Sequence, residues 1–205
     1  MLDKNGFDLW ADGYDRTVGI SDEENTYPFA GYREVLGAIY QTVLEKQDPT
    51  VLDIGFGTGT LTAKLYERGC TIYGQDFSSR MIEIASQKMP DAHLYLGDFA
   101  HGLAEPLQRQ RYDFIIATYS LHHLTDEQKI SFLRTLQSLL KEEGTILIGD
   151  VAFATRDEWA LCRQRAGDQW DEEEIYFVFE ELKNALPTLT FTPMSHCAGI
   201  LALPR

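Results

Sequence analysis

One segment restricts the fold of this chain more than any other: Val51-Leu52-Asp53-Ile54-Gly55-Phe56-Gly57-Thr58-Gly59. An apolar run of strand length enters a turn of alternating glycines, and a helical pattern follows over 60–68. Glycine lets the backbone turn tightly and approach a ligand closely. A strand, glycine turn and helix in that order open a parallel α/β sheet, whose ligands bind outside the carboxyl ends of the strands. A dinucleotide-binding turn asks for Gly or Ala at position 60 and needs no acid before the first glycine. This chain has Thr60 and Asp53 there.

The pattern continues downstream. Cys70 to Gln75, Ala92 to Leu96, Tyr112 to Ala117 and Thr145 to Gly149 read as further strands, separated by helical stretches. That alternation is the mark of βαβ units. Ser78 is placed to cap a helix that turns Met81, Ile82, Ile84 and Ala85 inward,. Thr125 with Gln128 matches a capping box, opening a helix whose apolar face carries Ile130, Leu133, Leu136, Leu139 and Leu140,. Residues 156–183 read as one or two helices, with 171–174 as a solvated helix start,. Leu189 to Ser195 and Ala198 to Leu203 are joined so tightly that only an antiparallel hairpin fits,.

Composition bounds the function. With 18 Lys and Arg against 32 Asp and Glu, the net charge is −14. Such a surface repels phosphate backbones and anionic lipids, which disfavours nucleic-acid and membrane partners. No apolar run reaches the ~20 residues that span a bilayer, and the N-terminus has no signal-peptide pattern. The three cysteines, Cys70, Cys162 and Cys197, lack redox or metal spacing,. The expectation is a cytoplasmic protein without disulfides.

Asp76 closes the second strand, where a carboxylate can accept both hydroxyls of a ribose,. Asp98 follows the third strand, placed for an adenine amino group with Phe99 or Phe77 on the ring. A loop-capping role for Asp98 is the alternative. The N-terminal 45 residues hold Phe7, Trp10, Tyr14, Tyr27, Phe29, Tyr32 and Tyr40, which read as a helical lid or as aromatics packed on the sheet,.

Taken together, Asp53-x-Gly55-x-Gly57-x-Gly59, Gly74-Gln75-Asp76-Phe77-Ser78 with Met81, Gly97-Asp98-Phe99, Tyr112 to Ile116 leading into Ser120-Leu121-His122-His123-Leu124, and Leu139-Leu140-Lys141-x-x-Gly144-Thr145 resemble the class I methyltransferases that use S-adenosylmethionine (SAM). The likeness covers about residues 33–150, and Phe7-Asp8-x-Trp10-Ala11-x-x-Tyr14-Asp15 resembles the opening of the small-molecule members.

The resemblance implies a three-layer α/β/α Rossmann-like fold with a mostly parallel seven-stranded sheet and a C-terminal antiparallel hairpin. It implies one domain over 1–205: a helical lid over 1–45, a cofactor core over 46–150, a substrate-side insertion over 151–187 and a hairpin over 188–205. For the cofactor it implies Tyr14, Asp53, Gly55, Phe56, Gly57, Thr58, Gly59, Asp76, Phe77, Met81, Gly97, Asp98, Phe99 and Thr118, with Ala117 beside Thr118 near the sulfonium. Trp10, Tyr27, Phe29, Tyr32 and Tyr119 are the acceptor-pocket candidates.

His122 and His123 are the candidate bases, with local packing as the alternative. No third ligand has metal-like spacing from them, so no metal is expected. The chain has no Asn/Asp-Pro-Pro-Tyr segment and no cytosine-type cysteine motif. The expected acceptor is therefore a small molecule, acted on by a monomer or homodimer. Two other classes share the glycine turn: a non-catalytic binder of SAM or S-adenosylhomocysteine (SAH), and an NAD-dependent oxidoreductase.

Overall fold

The computed structural model describes residues 25–205. Trp10, Tyr14 and the rest of the 7–15 segment lie outside the described residues. Helix α1 (Tyr32–Leu44) precedes the sheet and buries Val35, Ile39 and Val43, a stripe at helical spacing,. This part of the expected lid is thus a helix packed on the sheet.

The core follows as β1 (Thr50–Ile54), α2 (Thr62–Glu67), β2 (Thr71–Asp76), α3 (Ser79–Lys88), β3 (His93–Leu96), α4 (Glu105–Gln108) and β4 (Tyr112–Thr118). Then come α5 (Asp126–Ser138), β5 (Leu140–Phe153), α6 (Arg156–Ala166), β6 (Phe177–Val178), α7 (Phe179–Leu182), β7 (Thr190–Pro193) and β8 (Ala198–Pro204).

Strand order is β3-β2-β1-β4-β5-β8-β7, with the two-residue β6 pairing the end of β5. β1 to β5 are mutually parallel, and β8 runs antiparallel to both β5 and β7. The chain reverses its direction of travel across the sheet between β1 and β4, which puts the crevice at their carboxyl ends.

Alternate strand residues feed two cores. Leu52, Ile54, Ile115 and Ile148 pack with Leu133 and Leu136 of α5 on one face. Val51, Ile72, Ile116 and Leu147 pack with α1, α2 and α3 residues on the other. A central strand buried on both faces reads as a continuous apolar run, as β4 does.

The expected caps are present. Ser78 accepts from the Met81 N–H at 3.1 Å, and Thr125 and Gln128 form the reciprocal box at 3.2 and 2.8 Å. The α5 boundary differs from the sequence reading. Leu139 is the helix cap and Leu140 already pairs with Tyr112 in β5. Both leucines are buried, and periodicity reports burial rather than backbone form. The 156–183 region also differs: α6 ends at Ala166, and 171–176 carry no helix.

Candidate active site

The turn from β1 to α2 forms the floor of a cleft of about 700 Å³. Its walls carry Asp53, Gly55, Phe56, Gly57 and Thr58, then Asp76, Phe77 and Met81, with Phe99, Thr118, Tyr119 and His123 opposite. Gly55 holds φ +69°, and a Cβ there would stand 2.6 Å from the Ser120 Cβ. Only glycine fits that bend without displacing the loop after β4. The Ser120 hydroxyl donates to the Ile54 carbonyl at 2.8 Å, locking that loop over the end of β1.

Asp53 is buried beneath the cleft. Its Oδ2 accepts from the Thr62 hydroxyl, while Oδ1 is buried without a hydrogen-bond partner. Burial pushes its carboxyl up to about 7; the Thr62 bond pulls it back in part, and the charge of Asp76 pushes it further. Asp76 is gripped from two sides, by the Gly57 N–H at 2.9 Å and the Ser78 N–H at 2.9 Å.

The opposite wall is aromatic. Tyr32 and Tyr119 line it, and Phe29, an acceptor-pocket candidate that stands off the cleft wall, packs against both, with centroids 5.1 to 5.9 Å apart. Tyr119 has φ +50°, an uncommon conformation for a non-glycine residue, and its N–H is tied to the Gly149 carbonyl at 2.8 Å,.

Several sequence candidates stand elsewhere. Asp98 caps the turn after β3, accepting from the Ala100 N–H at 2.8 Å and pairing with the exposed His101 at 2.9 Å. That is the loop-capping alternative. Gly97 packs on the Gln75 side chain, off the cleft wall. Gly59 closes the turn through its N–H to the Phe56 carbonyl at 2.9 Å and packs toward α3. Tyr27 turns away to stack on Trp170 at 5.0 Å, with its hydroxyl on that of Tyr176. A ring and a hydroxyl that both find partners there have no cause to face the cleft.

Thr60, Leu61, Thr62, Ser78 and Ser120 also line the cleft, though none of them has a role in the site on sequence grounds. Thr62 contributes through Asp53 and Ser120 through the Ile54 carbonyl, pairings that no local pattern marks.

Behind Tyr119, the short turn Leu121–His123 sets two imidazoles side by side, 4.4 Å between centroids. His122 Nδ1 meets the fully buried Asp150 at 2.6 Å. A third group arrives that the sequence reading assigned to solvent: Glu174, 13% exposed, reaches His123 Nδ1 at 3.0 Å and His122 Nε2 at 3.5 Å. Burial pulls the His122 imidazole down, but the charges of Asp150 and Glu174 overcome this and raise it. Burial likewise lowers the nearby Lys129, which Asp126 holds at 3.0 Å.

Comparison with known proteins is decisive for the family. The chain is 36% identical over 206 residues to an uncharacterized methyltransferase of Anoxybacillus flavithermus, covering 95% of this chain and 94% of that one. Residues 51–144 match the model of the methyltransferase domain. The chain belongs to the methyltransferase family. Solved structures carry the same fold at lower identity. This methyltransferase superposes on magnesium protoporphyrin IX methyltransferase of Synechocystis PCC 6803 with bound SAH at TM-score 0.66 and 18% identity, over 86% of this chain and 84% of that one. On the DhpI–SAM–HEP complex the TM-score is 0.69 at 16% identity, over 97% and 94%. The methyltransferase has no helix among its described residues long and apolar enough to cross a membrane.

Proposed function

We propose that this methyltransferase takes its methyl group from SAM and passes it to a small-molecule acceptor. One observation carries the reading: the cleft at the switch point joins a partnerless buried acceptor, Asp53 Oδ1, to a backbone-gripped carboxylate, Asp76, across an open glycine turn. A buried acceptor without a donor is unfavourable by roughly 1–3 kcal/mol. A ligand that brings an amino or ammonium group to Asp53 removes that penalty. Asp76, held in place by Gly57 and Ser78 on the cleft wall, is positioned to accept ribose hydroxyls. Phe77, Met81 and Phe99 offer apolar surface for a base ring.

SAM supplies an activated methyl on a sulfonium. The chain's own part is to orient, exclude water and admit a nucleophile in line; proximity and orientation supply about 7–11 kcal/mol of such a barrier. Tyr32 and Tyr119 line the cleft, and aromatic π faces attract cationic methyl donors,. Thr118, Ser120 and His123 line the wall on the acceptor side. A base is needed only for an acceptor protonated at working pH.

The acidic surface, −14 overall, supports a small acceptor over nucleic acid,. Free, buried Cys70, Cys162 and Cys197 support a reducing, cytoplasmic setting,.

Calorimetry tests the reading. SAH is expected to bind with one site, and Asp76→Ala to weaken it by tenfold or more. A chain that binds neither SAM nor SAH would refute the proposal. Binding without methyl transfer to any member of a metabolite panel would convert it to the non-catalytic alternative.

A further inference from the structure

The cluster behind Tyr119 has a geometry that packing alone does not require. Two imidazole nitrogens, His122 Nε2 and His123 Nδ1, converge on one oxygen of Glu174, at 3.5 and 3.0 Å. All three atoms lie within 4.8 Å of one another. A tetrahedral ion bound at 2.0–2.2 Å to nitrogen and oxygen sets its ligands about 3.3 Å apart, so these spacings bracket an ion's coordination edge. We propose that His122, His123 and Glu174 form a binding site for a divalent transition-metal ion, beside the cleft.

The supporting shell is built as such sites are. The fully buried Asp150 takes the other nitrogen of His122 at 2.6 Å, which fixes the ring and directs Nε2 at Glu174. A carboxylate behind a histidine is the usual outer partner of a metal ligand. Glu174 is pinned through its neighbour: the Ile175 N–H donates to the His122 carbonyl at 2.8 Å, and the Ile175 carbonyl accepts from buried Lys129. With Nδ1 held by Asp150, Nε2 is the ring nitrogen that faces Glu174 and is left to meet a cation.

Two imidazoles and a carboxylate suit zinc and its first-row neighbours rather than calcium or magnesium. Three protein ligands leave a fourth position, and His123 stands on the cleft wall. That fourth position is left to water or to an acceptor carboxylate, thiol or hydroxyl reaching past His123, the one member of the three on the cleft wall. Metal binding stands independently of the SAM reading; only the acceptor contact rests on it.

The test uses untagged full-length protein stripped with EDTA. Zinc titration by calorimetry is expected to give one site. Glu174→Gln and His123→Ala should each weaken it at least tenfold, and Asp150→Asn about ten- to hundredfold. A second potential ligand group, Cys162, His196 and Cys197, lies elsewhere, so His196→Ala serves as control and should leave affinity unchanged. Should Glu174→Gln fold poorly by circular dichroism, the cobalt spectrum of the unaltered protein decides. Visible bands of the intensity of tetrahedral cobalt, without a thiolate charge-transfer band, support the site. No zinc binding, a strong thiolate band, or binding that survives Glu174→Gln but falls with His196→Ala would overturn it. SAH affinity measured on the same metal-free protein separates failure here from failure of the cofactor reading.

Discussion

Asp53 shows how one residue is set by its surroundings. Its ordinary value of 3.8 rises to about 7 because the carboxylate is buried under the glycine turn with one oxygen unmet. The native state therefore binds a proton more tightly than the unfolded chain. Stability from this group is fullest below 3.8 and declines as pH rises to about 7,. Ligand binding carries the opposite dependence, since a cationic or donor group favours the ionised form. SAH is expected to bind more tightly at about pH 8 than at about pH 6, by up to tenfold, and Asp53→Asn should flatten that profile. Calorimetry at both values checks this; affinity independent of pH in the native protein would show that Asp53 does not meet the ligand. The residue scale also explains why Asp98 departs from its expected place. A short carboxylate after a strand finds the nearest backbone N–H, here that of Ala100, and caps the turn,.

At the scale of elements, the sheet is stapled at the end away from the cleft. Asp113, near the start of β4, accepts from the Thr50 N–H at 2.8 Å and from Lys141 at 2.6 Å, and meets Lys46 at 2.6 Å. It joins the start of β1, the start of β5 and the chain beyond α1. Burial alone would raise its carboxyl, but the two lysines and the Thr50 N–H hold it down at about 2. Its contribution is complete above 3.8 and is lost as pH falls through about 2,. Because both lysines are about 40% exposed, screening reduces the effect,. Asp113→Asn is expected to lose about 1–2 kcal/mol near neutral pH, with the difference shrinking toward pH 2. Urea unfolding at neutral and acid pH measures it, and an equal loss at both would assign the effect to something other than charge. The elements themselves were legible where a local rule governs them, as with the Ser78 cap and the Thr125–Gln128 box. Boundaries were less so: Leu140 satisfies helix periodicity and strand burial equally well.

For the whole molecule, ligand binding and folding are one equilibrium. If the cleft is built for SAM, SAH at about 100 times its Kd should stabilise the chain by about 2.7 kcal/mol. For a domain of this size that is a rise of about 5–10 °C in Tm. Thermal unfolding followed with and without SAH gives the answer, and an unchanged Tm at saturation would remove the ligand from this cleft. The amino-acid sequence by itself determined the order of strands β1 to β5 and the closing hairpin, the bend at Gly55 to Gly59, and the carboxylates at the ends of β1 and β2. These follow from spacing along the chain, which periodicity and glycine stereochemistry record directly. Tertiary structure alone decided that Glu174 meets His122 and His123, that Tyr27 leaves the cleft for Trp170, and that Thr62 and Ser120 brace the turn. Those pairs are joined by the path of the backbone through the sheet, and no short-range pattern encodes where two distant segments will cross.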